Sequence, residues 1–124
     1  MKLLDSLYSI IDEVVTDSEH CYTIELNAQH FIYAAHFPGE PITPGVCIMQ
    51  ITQELLGQHT GKNLAIECVK NVKFLRIITP TESPVVCYSL QKISQEGESV
   101  KAQVCVSSEE GVFAKLSLVC HICA

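Results

Sequence analysis

His36-Phe37-Pro38-Gly39-Glu40-Pro41-Ile42-Thr43-Pro44-Gly45-Val46-Cys47-Ile48-Met49-Gln50 decides how this 124-residue chain is read. Three prolines and two glycines fall within its first ten residues. Proline fixes φ and glycine relaxes it, so their alternation builds a loop of one shape rather than a flexible one. Pro44 sits where a helix begins, since its missing N–H costs nothing in a first turn. The free amides of Gly45, Val46 and Cys47 then point back toward the loop carrying His36, together with the positive end of the helix dipole. An imidazole held there can take a proton beside a carbonyl whose oxygen the amides receive.

Beyond the loop the pattern is helical. At about 100° per residue, Cys47, Ile48, Met49, Ile51, Leu55 and Leu56 share one broad arc. Val46, Gln50, Gln53, Glu54 and Gly57 fill the remainder. A helix apolar over more than half its circumference is largely buried, with one narrow polar stripe. Gln50 and Glu54 stand side by side on that stripe, four residues apart. Gly57 or Gly61 is the expected terminator.

Before the loop, Leu4, Leu7, Tyr8, Ile11 and Val15 have a helix-like spacing, with a short strand around Tyr8–Ile11 as the alternative. Cys21 to Leu26 alternates, with Tyr22, Ile24 and Leu26 on one side, as in a half-buried strand. After Asn63 the chain reads as four strands: Cys68 to Ile78, Val85 to Lys92, Ser99 to Ser107 and Val112 to Ile122. Turns at Gln95–Glu98 and Glu109–Gly111 separate the last three. One long buried helix followed by strands with short turns implies an α+β domain spanning 1–124. An antiparallel meander would curl around the central helix.

Composition narrows the function. A net charge of −6 with only eight basic residues excludes a nucleic-acid binder, whose phosphates demand a basic patch. No stretch approaches a membrane span, and Asp5, Asp12 and Glu13 interrupt the apolar N-terminus, so a cytosolic protein is expected. Seven cysteines without regular spacing suit that compartment. Cys47, near the helix start, reads as a buried thiol rather than a nucleophile. Cys120 and Cys123 lie three apart on a strand, facing opposite sides, so neither metal nor cofactor is expected. His20, His30, His59 and His121 read as surface or strand residues.

His36-Phe37-Pro38-Gly39, Pro41 and Pro44-Gly45-Val46 together resemble the signature of the hotdog-fold 3-hydroxyacyl-acyl-carrier-protein dehydratases of fatty acid synthesis. Eight positions match in fixed spacing. Val72-Lys73-Phe74-Leu75-Arg76-Ile77-Ile78-Thr79-Pro80 is similar to a second family strand, with Thr81 and Glu82 where the family carries Gly-Asp. The resemblance implies a hotdog fold, and dehydration of a (3R)-hydroxyacyl thioester on acyl carrier protein or coenzyme A to a trans-2-enoyl thioester. His36 would take the C2 proton and the Gly45 amide would hold the thioester oxygen, with Val46 and Phe37 beside the substrate. In the family a carboxylate on the opposite subunit's helix, fourteen residues after the histidine, assists departure of the hydroxyl. Here that position is Gln50, and Glu54 stands where many members have glutamine. Either Glu54 acts from one turn away, or His36 works with a bridging water, or the chain is weakened. A homodimer or higher oligomer such as a hexamer is expected. Lys73 and Arg76 are candidates for meeting an acidic carrier or its phosphate. The competing readings are a scaffold subunit pairing with an active homologue and an acyl thioesterase.

Overall fold

A computed structural model describes residues 2–123. Six strands form one antiparallel sheet: β1 (Tyr8–Val15), β2 (Glu19–Leu26), β3 (Leu64–Phe74), β4 (Val85–Glu96), β5 (Ser99–Ser108) and β6 (Gly111–Ile122). Their order across the sheet is β1-β2-β4-β5-β6-β3. Two helices, α1 (Phe31–Ala35) and α2 (Gly45–Thr60), lie between β2 and β3 in sequence. This is the hotdog architecture, with the sheet wrapped on α2. Among the described residues no helix is long and apolar enough to cross a membrane.

The meander expected from short turns holds for β4-β5-β6 and for the β1–β2 hairpin. It fails at two joins, since β2 pairs with β4 and β3 with β6. The segment from β2 through α2 fills the sheet's concave side, so β3 is delivered to the far edge. Residues 8–15 form a strand, the alternative to a helix at Tyr8–Ile11 and longer than it by four residues. A tight turn gathers Leu3 and Leu7, where the Leu7 amide donates to the Leu3 carbonyl. A register shift between Ile10 and Asp12 then breaks the alternation. β3 starts and ends four residues earlier than Cys68–Ile78 for the same kind of reason, because it too carries register shifts.

The α2 arc is buried as the periodicity required at Cys47, Ile48, Ile51, Leu55 and Leu56, while Met49 is half-buried against the core. Gly61, at φ 69°, closes the helix in the left-handed conformation that glycine adopts without a Cβ penalty. The aromatic side chains divide unusually. All four tyrosines, Tyr8, Tyr22, Tyr33 and Tyr88, are buried, whereas Phe31, Phe37 and Phe74 are exposed by 77%, 53% and 49%.

Burial raises the pKa of every tyrosine above its ordinary value of 10.0. The unfolded chain therefore releases these protons first, and stability falls as pH rises past about 10. Tyrosinate absorbance and loss of circular dichroism are expected to appear together, in one cooperative step. A tyrosine ionising freely near pH 10 in the folded protein would contradict the packing.

Candidate active site

His36 closes α1, and its backbone is clipped on both sides. Its amide donates to Ile32 and its carbonyl accepts from Ile42, at 2.9 and 2.8 Å. Between these bonds, Phe37 and Glu40 exchange a reciprocal pair of backbone bonds across Pro38-Gly39. Farther along, Thr43 donates to the Ile78 carbonyl at 2.8 Å, and its hydroxyl meets that of buried Tyr33 at 2.9 Å. The proline-rich stretch is therefore one rigid shape tied to α1 and to the segment after β3. His36 and Phe37 stand exposed on it, their rings edge to face with centroids 5.6 Å apart.

The loop delivers the chain into α2 through Pro44, which is the N-cap rather than the first helical residue. Of the three amides expected to be free, that of Cys47 is spent on the Pro44 carbonyl at 3.0 Å. Gly45 and Val46 are left at the helix tip. A Cβ on Gly45 would lie 2.9 Å from the Phe74 ring, so glycine here lets that ring close over the tip. Cys47 is buried, and burial raises its pKa, which makes it a packed thiol despite its place in the first turn.

Gln50 and Glu54 lie together on α2, as their spacing required. Gln50 Nε2 donates to Glu54 at 2.8 Å. The same carboxylate accepts the amides of Leu3 and Leu4, each at 2.8 Å, and the Tyr8 hydroxyl at 3.0 Å. Burial, then the charge of Glu54, holds the Tyr8 phenol protonated well above its usual range. Gln53 uses the same stripe to accept from Ile66 at the start of β3, at 2.8 Å. The polar stripe is thus a clamp between α2 and two other parts of the chain. A groove of about 290 Å³ runs along it, between Lys2, Leu4, Gln50 and Leu64.

Around the helix tip the surface is apolar. Val46 is 69% exposed, and Leu75 and Ile77 join Phe74 beyond the end of β3. Arg76 turns to the β5–β6 hairpin, where it donates to the Glu110 carbonyl beside Gly111. Lys73 pairs in register with Lys115. Cys120 is buried within β6, whereas Cys123 lies just beyond the end of that strand rather than on it, and is half-buried. The sequence reading missed the cluster of Glu13, His20 and His59, in which two imidazoles meet at 2.9 Å. Those residues are up to 46 positions apart, and only the β1–β2 hairpin register against the end of α2 brings them together.

The chain matches the family model for ApeI-like dehydratases (ApeI dehydratase) over residues 12–114. It is 27% identical over 95 residues to the 3-hydroxyacyl-[acyl-carrier-protein] dehydratase FabZ of Latilactobacillus sakei, covering 71% of this chain and 68% of that one. Among solved structures, the dehydratase heterocomplex ApeI:P of Xenorhabdus doucetiae superposes with a TM-score of 0.67 at 13% identity, over 91% of this chain and 98% of that one. A hypothetical thioesterase of Streptococcus pneumoniae, solved with coenzyme A, gives 0.65 at 12% identity, over 94% and 86%. At such identities the structural likenesses speak for the fold.

Because Glu54 serves four donors, Glu54→Ala is expected to lower unfolding free energy by about 2–4 kcal/mol, since a hydrogen bond to a charged group is worth about 1.5–3 and the four do not add. Urea denaturation measures it. A loss below about 0.5 kcal/mol would mean the clamp is slack.

Proposed function

The chain belongs to the ApeI-like dehydratase family, and on that premise we propose that it removes water from (3R)-3-hydroxyacyl thioesters carried on acyl carrier protein. The observation that carries this reading is the clipped loop that holds His36 exposed and leads through Pro44 into the tip of α2, where the amides of Gly45 and Val46 precede the first helical hydrogen bonds. In the proposed reaction the thioester oxygen accepts from the amide of Gly45, with Val46 beside it. The His36 imidazole takes the C2 proton as negative charge builds on that oxygen. A fixed donor is the larger contribution, and proton transfer adds roughly 10²–10⁴-fold.

The C3 hydroxyl must then leave with a proton. Gln50 has no carboxyl proton to give, and Glu54 is held by donors from its own subunit. His36, now an imidazolium, is the group that returns the proton. The C3–O bond breaks, water departs and the trans-2-enoyl thioester remains. Gln50 acts by hydrogen-bonding the hydroxyl, and Glu54 acts on Gln50 as a positioning residue. Phe37 and Val46 would line the acyl chain.

Such a site needs a second subunit. Phe31, Phe37, Val46, Phe74, Leu75 and Ile77 are all exposed in the protomer, and exposed apolar side chains that gather into a patch mark an interaction surface. Among the described residues β3 is an edge strand, paired with β6 alone. Pairing β3 with its symmetry mate would continue the sheet and cover that surface. The partner's helix would bring its residue at position 50 toward His36.

A second reading is a mixed assembly, in which this chain gives His36 and a homologous partner gives the carboxylate. It is favoured by Gln50 at the family's carboxylate position, and the related ApeI:P structure is itself a heterocomplex. Thioesterase activity ranks below both, since it rests on likeness of fold alone.

Enoyl thioester formation and hydration by the purified chain test these readings. His36→Ala is expected to lower the rate by at least about 10²-fold. Gln50→Glu sets two carboxyl groups against each other, which raises the pKa of one and supplies an acid, so turnover is expected to be equal or faster. Retained turnover in His36→Ala would end the reading. Activity gained only with a homologous partner would favour the mixed assembly, and free thiol without enoyl product would favour a thioesterase.

A further inference from the structure

Glu13 on β1, His20 at the start of β2 and His59 in the last turn of α2 form a chain of side chains at the end of the sheet remote in sequence from the His36 loop. His20 Nε2 is bonded to Glu13. Its other nitrogen, Nδ1, lies 2.9 Å from Nδ1 of His59. The His20 ring is stacked on buried Tyr22, with centroids 4.7 Å apart and planes at 22°, and stands edge to face with His59 at 81°. Burial, together with the Glu13 carboxylate, pushes the Tyr22 pKa up to about 12. His20 is thereby held at both ring nitrogens, and with the proton on Nε2 toward Glu13 its Nδ1 presents a lone pair.

We propose that His20 and His59 bind one divalent transition-metal ion of the imidazole-preferring class, such as Ni²⁺ or Zn²⁺, with Glu13 orienting His20 from behind. Two imidazole nitrogens this close are joined either by a shared proton or by an ion that replaces it. With metal–nitrogen bonds of about 2.0–2.1 Å, their separation corresponds to an angle of about 90° at the metal, the cis edge of an octahedral or square site. A tetrahedral ion needs the nitrogens about 3.3–3.4 Å apart, which exposed His59 supplies by a small rotation. A metal-binding histidine characteristically gives its other ring N–H to a carboxylate, as His20 does here.

The groove beside the pair, about 170 Å³, is lined by Val15, Asp17, Ser18 and Leu90 and opens to solvent. Among the described residues no group of three or more metal-binding side chains exists. The ion therefore takes two protein nitrogens and completes its shell with water. Bound there, it ties the last turn of α2 to the β1–β2 hairpin, and binding to the folded chain alone stabilises it.

Calorimetric titration of the reduced protein with Ni²⁺, and separately with Zn²⁺, tests this. Cu²⁺ is avoided because it would oxidise the seven free thiols. Saturable binding of one ion per chain is expected, with a higher melting temperature. His59→Ala, at an exposed position, removes that binding and the melting shift. Glu13→Gln weakens it about 10–100-fold, and His121→Ala leaves it unchanged. Histidine ¹⁵N shifts on Zn²⁺ addition should move at Nδ1 of His20 and His59. No saturable binding, or binding unchanged in His59→Ala because thiols hold the ion, overturns the proposal. None of these readouts depends on the dehydratase reading.

Discussion

The carboxylate of Glu54 receives the amides of Leu3 and Leu4, the hydroxyl of Tyr8 and the side-chain amide of Gln50, and the arrangement of the molecule turns on this one group. A charge on the half-buried side of a core helix is tolerated only when it is surrounded by donors. Here the donors come from the N-terminal turn, β1 and α2 itself. The first strand is thereby docked, the helix is fixed within the sheet, and the residue one turn before Glu54 is held in place. A carboxylate committed to the fold is poorly placed to serve as a mobile acid. This is the physical reason for proposing that His36 returns the proton and that Gln50 binds the hydroxyl.

The same economy explains the loop. His36 is exposed in the protomer, but its backbone is not free, because the Ile32, Ile42 and Tyr33–Thr43 contacts fix the path on both sides. Rigid presentation of one imidazole on a loop that leads into a helix suits the proposed proton transfer. Phe31, Phe37 and Phe74 are exposed while the four tyrosines fill the core beside Phe113, against the usual ranking of the two residues. Their hydroxyls are accommodated by partners such as Thr43 and Glu54, whereas the bare rings gather where a second subunit would cover them.

Much of this was legible in the residues. The apolar arc of α2, the rigid His36 loop, Gly61 among the candidate terminators and the strands after Asn63 follow from periodicity and from proline and glycine chemistry. Residues 3–15 misled because a turn at Leu3–Leu7 and a register shift at Ile11 together imitate a helical spacing. The ends of β3 misled because its register shifts cancel the period of two. The sheet order was invisible to a local reading, since the β2–β4 and β3–β6 pairings join segments far apart in sequence. Gln50 and Glu54 were visible as neighbours, but nothing in the sequence told that the N-terminal turn would claim the carboxylate. The imidazole pair of His20 and His59 left no local signal either.

The central claim is that His36 and the tip of α2 together grip an acyl thioester. A crystal structure of the assembled protein with a 3-hydroxyacyl pantetheine analogue, its thioester replaced by an amide, tests it most directly. The account predicts the acyl oxygen within about 3 Å of the Gly45 amide nitrogen, the His36 ring against C2, and Gln50 at the hydroxyl. An acyl group seated away from His36, with the Gly45 amide facing only water, would contradict it.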